Sequence, residues 1–458
     1  MTSSSTIQFC ALGGGCEVGA NSFLVSLNGH QVLLDCGTHP KKDGAAALPA
    51  FDLLSRRPDA CVITHGHVDH CGAAPHLARM FPGIKWHATS ATARIMDRML
   101  HNSVSVMETL SKERGISDYP LYEHEDVGYF LRATEHHDFL KPFPMPCGDG
   151  AEAMFIEAGH VLGGGSVLLR LPGHTVFYTG DICKTRQHLM GGYRPLPRDI
   201  HVDTLVIEST QGATDDDSFG TYREEIERLG GALNATLQGG GCALIPSFAL
   251  GRTQEIANIV ADLQERGAIP FTPIYTAGLG RAIYEVYQTY SDLLMPHAEL
   301  RPLRRFERLG NLWEPGEVKR LLREPCVIVA TSGMMMENTP SALLAQEMVR
   351  QTQHGIFFAG YLDPDTPGYK LLHAPVGAPL QFELNRPPVE KVLENVQKFR
   401  FSAHATRSEL ADVVDRIQPE NVVYIHGDPD AVRWMEENTG AGRRTFMPEV
   451  GQVVTLEA

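Results

Sequence analysis

A chain of 458 residues, 43% hydrophobic and 21% charged, has the size and composition of two globular domains, which excludes a disordered or fibrous protein. The net charge of −15 excludes a uniformly basic nucleic-acid-binding surface and leaves any basic face local. The longest uncharged run, 229–251, is interrupted by Gly239-Gly240-Gly241 and Pro246, so no membrane span is expected.

Read in chain order, strands are predicted at 7–13, 21–27 and 31–35, a meander joined by tight turns. An apolar, β-branched run at 60–64 predicts a buried strand, and 72–77 opens a helix with Pro75 tolerated in its first turn. Helices are expected at 90–110 and 123–133, then strands at 154–158, 166–171 and 175–179. Beyond residue 208 the rhythm becomes strand–helix alternation: helices at 219–237, 253–266, 279–290 and 341–351, with strands at 242–246, 272–276 and 326–330 between them. That alternation predicts a parallel α/β layer.

Function concentrates in Thr64-His65-Gly66-His67-Val68-Asp69-His70. The pattern His-x-His-x-Asp-His supplies three imidazoles and a carboxylate, the donors that suit zinc. It follows a strand, where open sheets gather their sites. Six positions cannot enclose two metals, and further donors sit at other strand ends: Asp35 after Val32-Leu33-Leu34, His160 in a Gly-rich turn, Asp181 after Tyr178-Thr179-Gly180, and His426 after Tyr424-Ile425. Singly each is an ordinary turn residue; together they describe a metal centre. Nine cysteines without a C-x-x-C pair, an odd count, fit reduced thiols in a cytoplasm, and the Ser3-Ser4-Ser5 start lacks the basic segment and apolar core of a secretory signal.

The order Asp35, His65-x-His67-x-Asp69-His70, His160, Asp181 resembles the four opening motifs of the metallo-β-lactamase fold. Val206-Ile207-Glu208-Ser209-Thr210, Phe401-Ser402-Ala403-His404-Ala405 and Tyr424-Ile425-His426-Gly427 resemble motifs A, B and C of its β-CASP branch of nucleic-acid-processing nucleases. The resemblance implies a metallo-β-lactamase αββα sandwich with an inserted β-CASP α/β domain, divided as 1–208, 209–395 and 396–458. It implies two Zn2+, one on His65, His67 and His160 and the other on Asp69, His70 and His426, with Asp181 bridging. Asp35 would orient a ligand imidazole. Asp69, Glu208, His404 and Asp35 are the catalytic set it carries over, with His404 as proton donor and Glu208 fixing it. A bridging hydroxide would cut an RNA phosphodiester and leave a 5′-phosphate and a 3′-hydroxyl. His426 at motif C favours single-stranded RNA over DNA as substrate, and a homodimer is among the partners the family implies.

Pro246-Ser247-Phe248-Ala249-Leu250-Gly251-Arg252 ends a strand and opens a helix, so Ser247 and Arg252 are candidates for an RNA phosphate. Ser332, in Thr331-Ser332-Gly333-Met334, joins them through the family resemblance. Arg301, Arg304, Arg305, Arg308, Lys319, Arg320 and Arg323 form the densest basic stretch, but Glu307, Glu314, Glu317 and Glu324 interleave with them. The chain departs from the family pattern at Gln211, where Tyr is usual, at the acidic loop 214–218, and at Thr406, where an acid is usual. Two other readings remain at this stage: a catalytically silent RNA-processing subunit, and a hydrolase of a small ester or lactam.

Overall fold

The computed structural model describes residues 7–216, 220–383 and 386–456. The serine run at 3–5, residues 217–218 of the acidic loop and residue 219 of the predicted helix lie outside the described residues. Two compact units are present, Met1–Arg186 with Gly192–Ser218 and His404–Ala458, and Gln187–Gly191 with Phe219–Ala403.

In the first unit the alternating apolar strands build two seven-stranded sheets. One runs Val453–Leu456, Ile7–Gly13, Ser22–Leu27, His30–Leu34, Ala60–Val62, Lys85–Thr89 and Thr134–His137, antiparallel in its first half and parallel from His30–Leu34 onward. The other runs Arg444–Phe446, Asn421–Ile425, Thr204–Glu208, His174–Tyr178, Gly165–Leu171, Glu152–Glu157 and Phe143–Pro144. Phe9, Phe23, Leu34 and Val62 from the first sheet pack with Phe155, Val176, Val206 and Val423 from the second. Each outer face is covered by helices. Ser90–Arg114 and His124–Ala133 contribute Met96, Leu100, Val127 and Phe130 against Leu33 and Trp86. Arg407–Ile417 and Pro429–Thr439 contribute Leu410, Val413 and Met435 against Phe177, Leu205 and Tyr424. These four layers form an αββα sandwich held by apolar burial worth about 25 cal/mol per Å2.

In the second unit six short strands form a fully parallel sheet, ordered Glu307–Arg308, Ile274–Thr276, Val327–Ala330, Ala243–Pro246, Gly355–Phe358 and Val396–Lys398. Separate apolar clusters cover its two faces, as a buried parallel sheet requires. Among the described residues no helix is long and apolar enough to cross a membrane.

Candidate metal centre

Several chemically loaded side chains of the first unit leave the carboxyl ends of strands. His30–Leu34 delivers Asp35 and Ala60–Val62 delivers the His-rich run. In the second sheet, the mutually parallel strands His174–Tyr178, Thr204–Glu208 and Asn421–Ile425 deliver Asp181, Glu208 and His426. Asp35 and His426 both adopt left-handed backbone, φ 60° and 50°. That conformation costs a non-glycine residue roughly 1–3 kcal/mol and recurs where a site must turn a side chain inward. Gly37 permits the next close approach, because a Cβ there would lie 1.7 Å from the Asp69 carbonyl oxygen.

Three ring nitrogens converge first. His67 Nδ1 lies 3.0 Å from His65 Nε2 and 3.1 Å from His160 Nε2. Asp181 Oδ2 stands 3.7 Å from each of the other two nitrogens. Asp69, His70 and His426 form a second group, with Asp69 Oδ2 3.7 Å from His70 Nε2 and 3.4 Å from His426 Nε2. Asp181 Oδ1 faces this second group, 3.4 Å from His70 Nε2 and 3.0 Å from His426 Nδ1. One carboxylate therefore addresses both groups with different oxygens.

The donor set fits divalent cations. Zinc bonds of about 2.0–2.1 Å in a tetrahedron put donor atoms roughly 3.4 Å apart, close to the spacing of both groups. His426 Nε2 is shielded from solvent and makes no hydrogen bond among the described residues, although Asp69 Oδ2 stands 3.4 Å away, a spacing suited to two donors that share a cation. Burial keeps the His65 and His67 imidazoles below their ordinary pKa and thus neutral. Burial works against ionised Asp181, but His426 and His70 outweigh it and hold the carboxyl well below its usual range. Those two imidazoles are pulled upward in turn, against their burial, chiefly by Asp181.

A supporting layer fixes these groups. Asp35 accepts from the Thr64 N–H at 2.7 Å, the Thr64 hydroxyl at 2.8 Å and the Tyr178 phenol at 2.6 Å, and lies 2.8 Å from His70 Nδ1. Asn21 Nδ2 donates to the Asp69 carbonyl at 3.1 Å. On the other flank Glu208, fully buried, accepts from the Ile182 N–H at 2.6 Å and holds His404 Nδ1 at 2.9 Å. His404 Nε2 points to the cluster, 4.0 Å from Asp181 Oδ2. Its imidazole is 22% exposed, against 2–3% for His65, His160 and His426. That leaves it more open to an incoming molecule than those three rings. Burial lowers its pKa, but Glu208 carries the net shift upward.

All seven expected ligands, with Asp35, Glu208 and His404, thus meet in one unit. Sequence reasoning passed over Tyr178, Thr64 and Asn21. A tyrosine inside an apolar strand reads as core, and no spacing marks its hydroxyl as a partner of Asp35.

These features coincide with known proteins. Residues 17–209 match the metallo-beta-lactamase superfamily, residues 253–371 the Beta-Casp domain, and residues 389–448 the Zn-dependent metallo-hydrolase RNA specificity domain. The chain belongs to the β-CASP branch of the metallo-β-lactamase superfamily. Among relatives of this β-CASP chain is an RNase J-like protein of Methanocaldococcus jannaschii, 29% identical over 91% of each chain. The transcription termination factor FttA of Thermococcus kodakarensis is 30% identical over 92% of this chain and 67% of its own. The cleavage and polyadenylation specificity factor 73 of Drosophila melanogaster is 29% identical, but the β-CASP chain spans only 60% of that relative. A solved structure, a protein of unknown function from Enterococcus faecalis V583, matches with TM-score 0.60 over 99% of this chain and 100% of that one. Its 13% identity makes this a likeness of fold alone.

The remaining sequence candidates lie in the second unit. Ser247 is buried, and its hydroxyl donates to the Ile245 carbonyl at 3.3 Å, while Gly251, at φ +85°, is the N-cap of Arg252–Glu265. Arg252 is also buried; its two terminal nitrogens donate to the Phe401 carbonyl and the Gln187 side chain, while its Nε is shielded and has no hydrogen-bond partner among the described residues. The Ser332 hydroxyl accepts from the Met336 N–H at 2.8 Å. In the basic stretch, Arg301 is paired with Glu265 and Glu299, Arg320 with Glu317, and Lys319 with Glu347.

Two of the family departures, Thr406 and the acidic residues Asp215 and Asp216, find structural roles in the first unit. Thr406 caps Arg407–Ile417 in a capping box with Glu409. Asp216 accepts from the Ser408 N–H at 3.0 Å and Asp215 pairs with Arg407, so these two carboxylates sit at the positive end of that helix.

Proposed function

We propose that this hydrolase is a zinc-dependent ribonuclease acting on single-stranded RNA. His65, His67 and His160 would hold one cation, Asp69, His70 and His426 a second, and Asp181 would touch both. Zinc, when bound, supplies Lewis-acid stabilisation of charge on a phosphoryl group and acidifies water. The observation that carries the reading is the split of Asp181, Oδ2 toward one donor group and Oδ1 toward the other.

This chain's own residues supply the remaining chemistry. Glu208 accepts a hydrogen bond from the Nδ1–H of His404 and stabilises the charged imidazolium, with Nε2–H aimed at the cluster. As the oxygen of a water molecule forms the new bond to phosphorus and the P–O3′ bond breaks, His404 donates that proton to the departing oxygen. Delivery to the 3′ oxygen leaves a 3′-hydroxyl and a 5′-phosphate. Asp35 holds His70 in the tautomer whose Nε2 lone pair faces the donor group. An intact donor set argues against a silent subunit, and the Glu208–His404 pair argues against a small-ester hydrolase. Support for RNA comes from the match at 389–448 and from relatives named as ribonucleases.

The test uses end-labelled single-stranded RNA, a circular RNA and a lactam substrate with the purified protein. The proposal expects RNA cleavage with 5′-phosphate products. Lactam turnover with inert RNA, or no turnover of any substrate by the metal-loaded protein, would overturn it.

A further inference from the structure

A second histidine cluster lies in the first unit, at the edge of its first sheet. The edge strand Thr134–His137 pairs in parallel with Lys85–Thr89, His87 opposite Glu135 and Thr89 opposite His137. Alternate residues share a face, so Glu135 and His137 project on the side of His87. His87 Nδ1 lies 3.0 Å from His137 Nε2 and 4.0 Å from Glu135 Oε2. One donor atom from each residue falls within 4.8 Å of the other two.

We propose that His87, Glu135 and His137 form a separate binding site for one divalent transition ion, with zinc the natural occupant. Two imidazoles and a carboxylate are donors of the softness zinc prefers, and solvent completes the fourth position. The 3.0 Å nitrogen spacing equals that between His65 and His67 in the main cluster. Glu135 is 54% exposed, with Lys85 Nζ 3.8 Å from one of its oxygens and His87 Nδ1 4.0 Å from the other, and closes on the pair by a side-chain rotation. Phe143 stacks on the His137 ring at 3.6 Å and on His87 at 5.1 Å, which fixes both rings in advance. His87 Nε2 is shielded and has no hydrogen-bond partner among the described residues, so Nδ1 is the route by which this ring reaches a ligand. Burial and the neighbouring His137 depress the His87 pKa to about 4, leaving it neutral and able to coordinate near pH 7. A cation there ties the edge strand to its neighbour and blunts an open sheet edge.

The competing description is an imidazole–imidazole hydrogen bond with no ion. The full chain is stripped with a chelator, titrated with Zn2+ by calorimetry, desalted and assayed for zinc. His137→Gln, at a half-buried edge position, and Glu135→Gln, at an exposed one, serve as variants, and circular dichroism checks that both keep the fold. His137→Gln is expected to retain one equivalent fewer than the wild type, and Glu135→Gln to bind that equivalent at least tenfold more weakly. Asp181→Asn, which disturbs the main cluster, is expected to keep the edge equivalent, so the outcome does not depend on the proposed nuclease centre. Equal zinc content and affinity in wild type, His137→Gln and Glu135→Gln would leave only the hydrogen bond and overturn the proposal.

Discussion

His404 Nδ1 and Glu208 Oε2 stand 2.9 Å apart although 196 positions separate them in the chain. Glu208 ends a buried strand and its other oxygen is fixed by the Ile182 N–H, so the carboxylate cannot turn away from the imidazole. His404→Ala therefore removes the proton donor without disturbing the expected ligands. RNA cleavage should fall about 10^2–10^4-fold, the usual range for general acid–base groups, with zinc content unchanged. Zinc loss in His404→Ala would instead make it a ligand. Glu208→Gln should lose activity less steeply and move the alkaline limb of the pH–rate profile to lower pH.

Asp35 collects three protein hydrogen-bond donors and still faces His70 Nδ1. Removing it leaves the Tyr178 phenol buried without its acceptor and His70 without its orienting group. Asp35→Ala should weaken zinc binding about 10–100-fold, as loss of such orienting partners does. Tyr178→Phe should cost only ~1 kcal/mol of stability and spare most metal affinity. Chelator competition measures the first effect and thermal unfolding the second. Identical chelator profiles for wild type and Asp35→Ala would contradict the assignment.

How much of this was legible before the structure depends on what each signal encodes. Strand ends were readable because β-branched runs stop at Asp-Cys-Gly, Thr-His-Gly or His-Gly-Asp. Ile7–Gly13 and Gly165–Leu171 accordingly fall within a residue of expectation. The His-rich run was expected as a turn leading to a helix at 72, whereas a helical turn already forms at Val68–Cys71, with His67 as its N-cap. Glycine and histidine there obscure helical periodicity. Lys85–Thr89 and Gly355–Phe358 were missed because five- and four-residue strands carry too few positions to show alternation. The supporting residues Thr64 and Tyr178 were illegible for another reason: their roles are tertiary, set by which strand ends meet.

Gly37 has no room for a side chain beside the Asp69 carbonyl. Gly37→Ala must push the Val68–Cys71 turn outward and carry Asp69 and His70 with it. A loss of zinc affinity on the Asp69 side, greater than any loss of thermal stability, is expected from metal titration. Wild-type titration curves would show that the turn yields without moving its ligands.

Glu225 in the second unit is chelated by Arg228 at 3.1 and 2.7 Å and accepts the Arg400 N–H at 2.9 Å. Burial opposes its charge, but Arg228 and Arg400 prevail and hold its carboxyl below the usual 4.5. A depressed folded pKa gives stability that is present above the unfolded pKa and lost as pH falls through the folded one. Glu225→Gln should thus cost about 1–3 kcal/mol near pH 7. The difference should shrink steadily below pH ~4 in denaturant titrations of both proteins. A constant difference from pH 7 to 3 would mean that packing, not charge, accounts for the loss.

The most direct test of the nuclease centre is cleavage of 5′-labelled single-stranded RNA by one preparation assayed as isolated, after exhaustive chelation and after zinc restoration. The account predicts products with 5′-phosphate ends, no cleavage once the metal is removed, and recovery when zinc returns. Undiminished cleavage by the stripped protein would contradict it.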